Sequence, residues 1–261
     1  MSDTANPAEK PAEKIVTACI VVIGNEVLSG RTRDANIGFL AGELGKLGVR
    51  TMECRVIPDI EARIVETVNE VRRKFDYVFT TGGIGPTHDD ITADCIAMAF
   101  GVGISENAEA VDRMTRYYGE AALFTPARRR MSRIPHGGIL VDNPVSVAPG
   151  FQMENVFTFA GIPRIVEGMF GAMKHRLVGG APMISRTVRT NQPEGLIAEQ
   201  LGALQGRYAD IDIGSYPGFR NGHPSVQLVM RGTDDARLAA ASAELQAFLK
   251  AMGGEAEEFV Q

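Results

Sequence analysis

Three strand-like runs, each followed by a turn and then by apolar residues at helical spacing, constrain this chain more than any other feature. Residues 15–23 and 75–79 are short apolar runs of the kind that lies buried in a sheet, and residues 49–57 read as a further strand. After the first run, Ile37, Leu40, Ala41, Leu44 and Leu47 share one helical face, and Gly48 stops the helix. After the second, closed by Pro58-Asp59, Ile64, Val68 and Val71 point one way through residues 60–74. After the third, Ile91, Cys95, Met98 and Ala99 recur through residues 91–100. Strand and helix in strict alternation predict a parallel sheet covered on both faces. Ligands in such folds bind outside the carboxyl ends of the strands. Three segments fall there, residues 24–36, Pro58-Asp59 and residues 82–90, and all three carry carboxylates.

The last of these is the most informative. Thr80-Thr81-Gly82-Gly83-Ile84-Gly85-Pro86-Thr87-His88-Asp89-Asp90-Ile91-Thr92 leaves a strand and feeds a helix. Three glycines in four positions remove β-carbons where a backbone approaches something closely or takes positive φ. Amides exposed by such a turn, with the amino-terminal dipole of the helix, favour an anion, phosphate above all. Asp89 and Asp90 oppose this: two unit charges at contact repel by roughly 4 kcal/mol at an effective dielectric of about 20. A divalent cation between them reverses the sign, and hard oxygen ligands suit magnesium or manganese. One Asp is expected in the site and the other at the helix start. A plain glycine turn with Asp90 as helix cap is the alternative.

A chain of 261 residues buries a full core, and suits one large domain or one medium domain plus a small one. A net charge of −5 without a basic stripe argues against nucleic acid as a partner. Arg128-Arg129-Arg130 reads as a solvated helix end, or as an arginine reaching a phosphate. Cys19, Cys54 and Cys95 lie far apart without metal or disulfide spacing, and read as reduced core residues of a cytoplasmic protein. No apolar stretch has the length to cross a bilayer, so no membrane partner is expected. Residues 1–13, rich in Ala, Pro, Glu and Lys, read as a disordered tail.

Farther on, residues 106–118 and 125–131 read as helices, the second with Pro126 in its first turn. Asn143-Pro144-Val145-Ser146-Val147-Ala148-Pro149-Gly150-Phe151 reads as a rigid connector. Residues 156–160 form a strand, and Gly161-Ile162-Pro163 opens a helix to about Leu177, with Ile165, Met169 and Met173 on one side. Gly179-Gly180-Ala181-Pro182 marks a domain boundary. Beyond it, strand 185–190, helix 194–204, strand 210–216, a turn-rich connection at 217–223, strand 225–231 and helix 235–252 make a small α+β module.

Thr80 to Thr92 resembles the signature of the molybdopterin-binding (MoaB/Mog) superfamily, which runs Thr-Gly-Gly-x-Gly-Pro, then an acidic residue, a hydrophobic residue and Thr. The chain is similar, more closely, to the amino-terminal domain of competence/damage-inducible CinA proteins over about residues 15–177. Gly24-x-Glu26-Val27-Leu28-x-Gly30, Asp34-x-Asn36, the glycine loop, Asn143-Pro144 with Ala148-Pro149-Gly150, and Gly161-Ile162-Pro163 occur in that family's order. Ile213-Gly214-Ser215-Tyr216-Pro217 is similar to the segment following this domain in the eukaryotic FAD synthase type. The sequence departs from the family at Asn25 (commonly Thr or Asp), Ser146-Val147 (commonly Gly-Thr) and Ala160 (a proline). The Ser146-Val147 departure bears on phosphate contacts from that loop. The amidohydrolase domain of full CinA proteins has no counterpart here, so deamidation of nicotinamide mononucleotide is not expected.

The resemblance implies an α/β three-layer sandwich around a mostly parallel sheet (residues 14–178), with a small α+β domain at 182–255. It places the ligand and phosphate loop on Gly82, Gly83, Gly85 and Pro86, with Asp34 and Asn36 beside it. It gives Asp90 and Asp59 catalytic roles, and Asp90 and Glu26 a divalent metal (magnesium, manganese or cobalt). It implies a small phosphorylated ligand and a homo-oligomer, a dimer or trimer. The activity implied is metal-dependent hydrolysis of nucleotide diphosphates such as ADP-ribose or FAD. Molybdopterin binding and adenylylation, or binding without catalysis, are the alternatives.

Overall fold

In the computed structural model, residues 15–120, 123–220 and 222–260 are described, and the tail expected at residues 1–13 lies outside them. The chain divides into two units, Met1–Gly180 and Ala181–Gln261. The first runs β1 (Val16–Ile23), α1 (Asn25–Leu28), α2 (Asn36–Lys46), β2 (Val49–Ile57), α3 (Glu61–Lys74), β3 (Tyr77–Thr81), α4 (Thr92–Phe100), β4 (Ile104–Glu106), α5 (Ala108–Tyr118), α6 (Pro126–Arg129), β5 (Arg133–Pro135), β6 (Ile139–Val141), β7 (Gly150–Met153), β8 (Val156–Phe159) and α7 (Pro163–Met173). Six strands form one sheet in the order β2-β1-β3-β8-β7-β6. β2, β1, β3 and β8 are parallel, while β7 and β6 join antiparallel. Strands β4 and β5 pair apart from it.

β1 is apolar apart from Thr17 because both of its faces are covered. Cys19, Val21 and Ile23 pack with Ile64, Val68 and Val71 of α3 and with Cys95 and Ile96 of α4. Ala18 and Ile20 face the other way, with Leu40 and Leu44 of α2 and Met169 and Phe170 of α7. Helices therefore lie on both sides of a mostly parallel sheet, the three-layer arrangement that the alternation predicts. Phe79 and Phe157, neighbours across β3 and β8, stack with centroids 5.2 Å apart, a contact worth roughly 1 kcal/mol beyond its buried area.

Several boundaries differ from the sequence reading. β3 begins at Tyr77, two residues late, because the Phe75 amide still bonds to Val71 O and closes α3. It ends at Thr81, so Thr80 and Thr81 belong to the sheet and the loop begins at Gly82. Met98 is exposed; the inward face of α4 is Thr92, Cys95, Ile96, Ala97 and Ala99. Residues 104–106 are a strand and the helix starts at Ala108, capped by the Asn107 side chain on the Ala110 amide. Cys54 is exposed and not a core residue, because β2 is the edge strand of the sheet.

In the second unit, β9 (Ile184–Thr190), β10 (Asp212–Arg220), β11 (His223–Gly232) and β12 (Glu257–Val260) form an antiparallel sheet in the order β10-β11-β9-β12. α8 (Glu194–Arg207) and α9 (Asp235–Ala251) pack on it, with Ile197, Leu204, Leu238 and Leu245 against Val188, Leu228 and Met230. The connection read at 217–223 is much shorter: paired strand extends to Arg220 and resumes at His223. Pro217 is tolerated there because β10 is an edge strand with one ladder to make. No described helix is long and apolar enough to cross a membrane.

Candidate functional site

Parallel pairing sets the carboxyl ends of β1, β3 and β8 side by side, and the Gly82 amide extends the sheet by bonding to Phe159 O at 3.1 Å. The loops leaving those three ends, together with the 143–148 connector, enclose a cleft of about 610 Å³. Glu26 and Thr32 line it from the first loop, Gly82, Gly83, Gly85, Pro86 and Asp90 from the second, and Gly161, Ile162 and Pro163 from the third.

The glycine loop is shaped by close approach. Gly82 and Gly83 hold φ of +100° and +68°, conformations that L side chains rarely adopt. A β-carbon on Gly82 would stand 2.1 Å from Ile23 O, and one on Gly83 2.2 Å from Thr92 Oγ1. The Thr92 amide bonds back to Gly83 O at 2.9 Å, locking the start of α4 beneath the loop.

Asp90 does not cap α4; residue Ile91 stands at the cap position and the Asp90 carboxylate turns back into its own loop. Its Oδ1 accepts the Gly85 amide at 2.7 Å, and its Oδ2 accepts the Thr87 amide at 2.7 Å and the Thr87 hydroxyl at 2.6 Å. That one hydroxyl proton also reaches Asp89 Oδ1, and the contact holds the exposed Asp89 carboxyl below its ordinary range. Not every amide of the glycine loop is left open for a ligand. Gly82 N serves the sheet and Gly85 N serves Asp90, which leaves Gly83 N and Ile84 N without a protein partner among the described residues.

Glu26 is exposed on the cleft wall, its carboxylate folded over Gly24. Asp59 follows β2, beyond β1 from the glycine loop, and is not among the cleft-lining residues. Its Oδ2 accepts the Asn25 amide at 2.8 Å, at the start of α1. Asp34 stands one residue before the cap position of α2, held by Ala35, and its Oδ2 accepts the Ile37 amide of the first turn at 2.9 Å. Asp34 and Asn36 line a smaller cavity that shares Glu26, Thr32, Gly82, Gly161 and Pro163 with the main cleft. Asn36 is buried and donates from Nδ2 to Gly161 O at 2.9 Å, tying the first loop to the third.

Two further lining residues had no signal in the sequence. Tyr118 and Met131 lie far along the chain and carry no local motif. Asn143 and Ser146 belong to the proline-rich connector: Asn143 Oδ1 accepts the Val145 and Ser146 amides, while its Nδ2 donates to Ser146 Oγ and Ala148 O. Val147, in that loop, holds φ of +64°, an outlier for a β-branched residue. Arg130 lines a neighbouring pocket with Gly85 and Asp90. Among the described residues, no group of three or more His, Cys, Asp or Glu side chains is arranged to hold a metal ion.

The family model described as "Probable molybdopterin binding domain" matches residues 19–179, and that for "FAD synthase, middle domain" matches residues 182–255. A protein of Archaeoglobus fulgidus is 33% identical over 76% of this chain and 84% of its own length. A "Probable FAD synthase" of Caenorhabditis briggsae is 32% identical over 78% of this chain and 44% of its own length, so the chain spans less than half of that protein. Of further archaeal relatives, the chain spans about 60% of the length. The crystal structure of the protein CinA with unknown function from Thermoplasma acidophilum superposes with a TM-score of 0.58 at 30% identity, covering 61% of this chain and 96% of that one. With this sheet order, this glycine loop and a family match over residues 19–179, the chain belongs to the molybdopterin-binding-domain family and is CinA-like.

Proposed function

We propose that the cleft binds a nucleotide diphosphate of the ADP-ribose or FAD kind and that the protein hydrolyses its pyrophosphate with a divalent metal. One observation carries this reading. Two unpartnered amides, of Gly83 and Ile84, and two carboxylates, of Glu26 and Asp90, belong to the same cleft. Amides alone suit any anion; amides with carboxylates suit an anion that arrives with a cation.

The donor set fits magnesium held largely by its ligand. No three-residue cage is present among the described residues, but magnesium keeps several waters and takes one or two carboxylates plus substrate phosphates. Glu26 and Asp90 would hold it. The ion, when bound, would offset the phosphate charge and lower the pKa of water. The chain's own residues do the rest. Three donors fix the Asp90 carboxylate so that it needs no reorganisation on binding. Gly83 N and Ile84 N orient phosphate oxygens, and Glu26, without a protein partner among the described residues, is free to hold a water. Ile84, Ile162 and Ile165 on the wall suit a flat heterocycle.

A panel of ADP-ribose, FAD and other nucleotide diphosphates, each with magnesium, manganese or cobalt, tests the reading. Metal-dependent release of AMP is expected, with ribose 5-phosphate from ADP-ribose and FMN from FAD as the second product. The family match favours one rival, molybdopterin binding or adenylylation, which the same panel decides when extended with pterin and ATP. Measurable binding with a flat rate would assign a binding protein without catalysis, to which the strained Ser146-Val147 loop would be relevant.

A further inference from the structure

Among the described residues, the lining of the cleft carries the carboxylates of Glu26 and Asp90 and no Lys, Arg or His. A pyrophosphate bridge brings two further negative charges. One divalent ion offsets the carboxylates and leaves those charges uncompensated. The adjacent amides of Gly83 and Ile84 suit one phosphate group, so the second needs a donor from outside the lining.

Arg130, in the turn that follows α6, stands beside that gap. It lines a hollow of about 20 Å³, room for about one water, together with Ile84, Gly85, Asp90 and Met131, which also line the cleft. Its guanidinium is partly buried and donates to Asp90 O at 3.5 Å, the far limit of a hydrogen bond. The neighbouring arginines are committed. Arg128 donates to Leu123 O and lies over the Tyr118 ring, Arg129 holds Glu106, and Arg133 holds Asp94 through bonds of 2.7 and 2.9 Å. The described ion pairs of this segment thus go to Arg129 and Arg133 and not to Arg130. A guanidinium so weakly paired, at the edge of the glycine loop, is available to a ligand. Arg33, also close to the cleft, shares its cavity with Glu26 and Asp34, whose carboxylates offset it.

We propose that Arg130 turns from Asp90 O onto the second phosphate of the ligand and so makes the site select diphosphates over monophosphates. Its planar fork matches two phosphate oxygens at once, which the main-chain oxygen it now meets does not. This inference rests on the nucleotide-diphosphate reading and adds to it the group that tells two phosphates from one.

Calorimetric titration with α,β-methylene-ADP, whose carbon bridge blocks hydrolysis, and with AMP tests it, each with magnesium. The proteins are the parent, Arg130→Gln, Arg130→Lys and Arg33→Gln, with thermal unfolding of each. The parent is expected to bind the diphosphate analogue more tightly than AMP. Arg130→Gln keeps a donor for Asp90 O and unfolds with the parent. Its affinity for α,β-methylene-ADP falls about 10- to 100-fold, and that for AMP by less than about threefold. Arg130→Lys, with the charge but not the fork, falls between parent and Arg130→Gln, and Arg33→Gln keeps the preference. Equal parent affinity for the two nucleotides, a preference that survives Arg130→Gln, or one that collapses in Arg33→Gln overturns the role of Arg130 and leaves the phosphate site standing. So does an Arg130→Lys variant as weak as Arg130→Gln. A parent that binds neither nucleotide overturns both readings.

Discussion

Asp90 Oδ1 accepts the Gly85 amide at 2.7 Å, so the loop that would hold a ligand's phosphate already holds a carboxylate of its own. The bond makes the shape of the glycine loop depend on the residue that would face the metal. Asp90→Asn sets a side-chain N–H against a loop amide and is expected to lower stability by about 2 kcal/mol. Turnover of nucleotide diphosphates is expected to fall about 100-fold. Urea unfolding beside a rate assay reads both, and a variant as fast as the parent removes Asp90 from the chemistry.

Glu26 and Asp59 separate under the same assay. Glu26→Gln, on the cleft wall, is expected to raise the metal concentration needed for half-maximal rate. Asp59→Asn exchanges one acceptor for another at the Asn25 amide and is expected to keep the rate within about threefold, a loss of less than 1 kcal/mol. A rise in metal requirement in Asp59→Asn as large as that in Glu26→Gln, or a rate loss well beyond threefold, would restore Asp59 to the site.

The two positive-φ glycines differ in what obstructs a side chain. Gly82→Ala drives its β-carbon into the backbone oxygen of Ile23, which cannot yield, and is expected to cost about 3 kcal/mol. Gly83→Ala meets the Thr92 hydroxyl and costs about 2 kcal/mol. Thr92→Ala leaves only its β-carbon, 3.2 Å away, so the Gly83→Ala/Thr92→Ala double variant is expected to recover part of that loss. Chemical unfolding of the four proteins gives the coupling; strict additivity would show that the contact is immaterial.

Val147 supplies the opposite case. A β-branched residue at φ +64° costs roughly 1–2 kcal/mol relative to a relaxed conformation. Val147→Gly is therefore expected to gain up to about 1 kcal/mol in unfolding free energy, after the entropy that glycine adds to the unfolded chain. A loss of stability would show that packing of the valine outweighs its backbone strain.

Thiol labelling reads the sheet edge. Burial pushes the Cys19 and Cys95 thiols up to about 12, and neither is accessible in the folded chain. Cys54 is exposed, with its pKa raised chiefly by partial burial and then by Asp34. Iodoacetamide at pH 8 is expected to modify Cys54 alone, slowly, with Cys19 and Cys95 reacting only on unfolding. Mass spectrometry of the peptides decides.

The sequence by itself determined the layers and the loop. Apolar runs and helical spacing are local patterns, and the covered faces of β1 follow from them; Gly82 and Gly83 announce a backbone conformation that few other residues adopt. Strand order was not local. It puts β8 against β3 and leaves β2 at the edge, so Gly161 joins the glycine loop while Asp59 falls on the far side of β1. A carboxylate's role depends on which donors reach it, and those come from residues whose nearness only folding creates. That is why a capping, a metal-facing and a loop-closing Asp90 read alike along the chain.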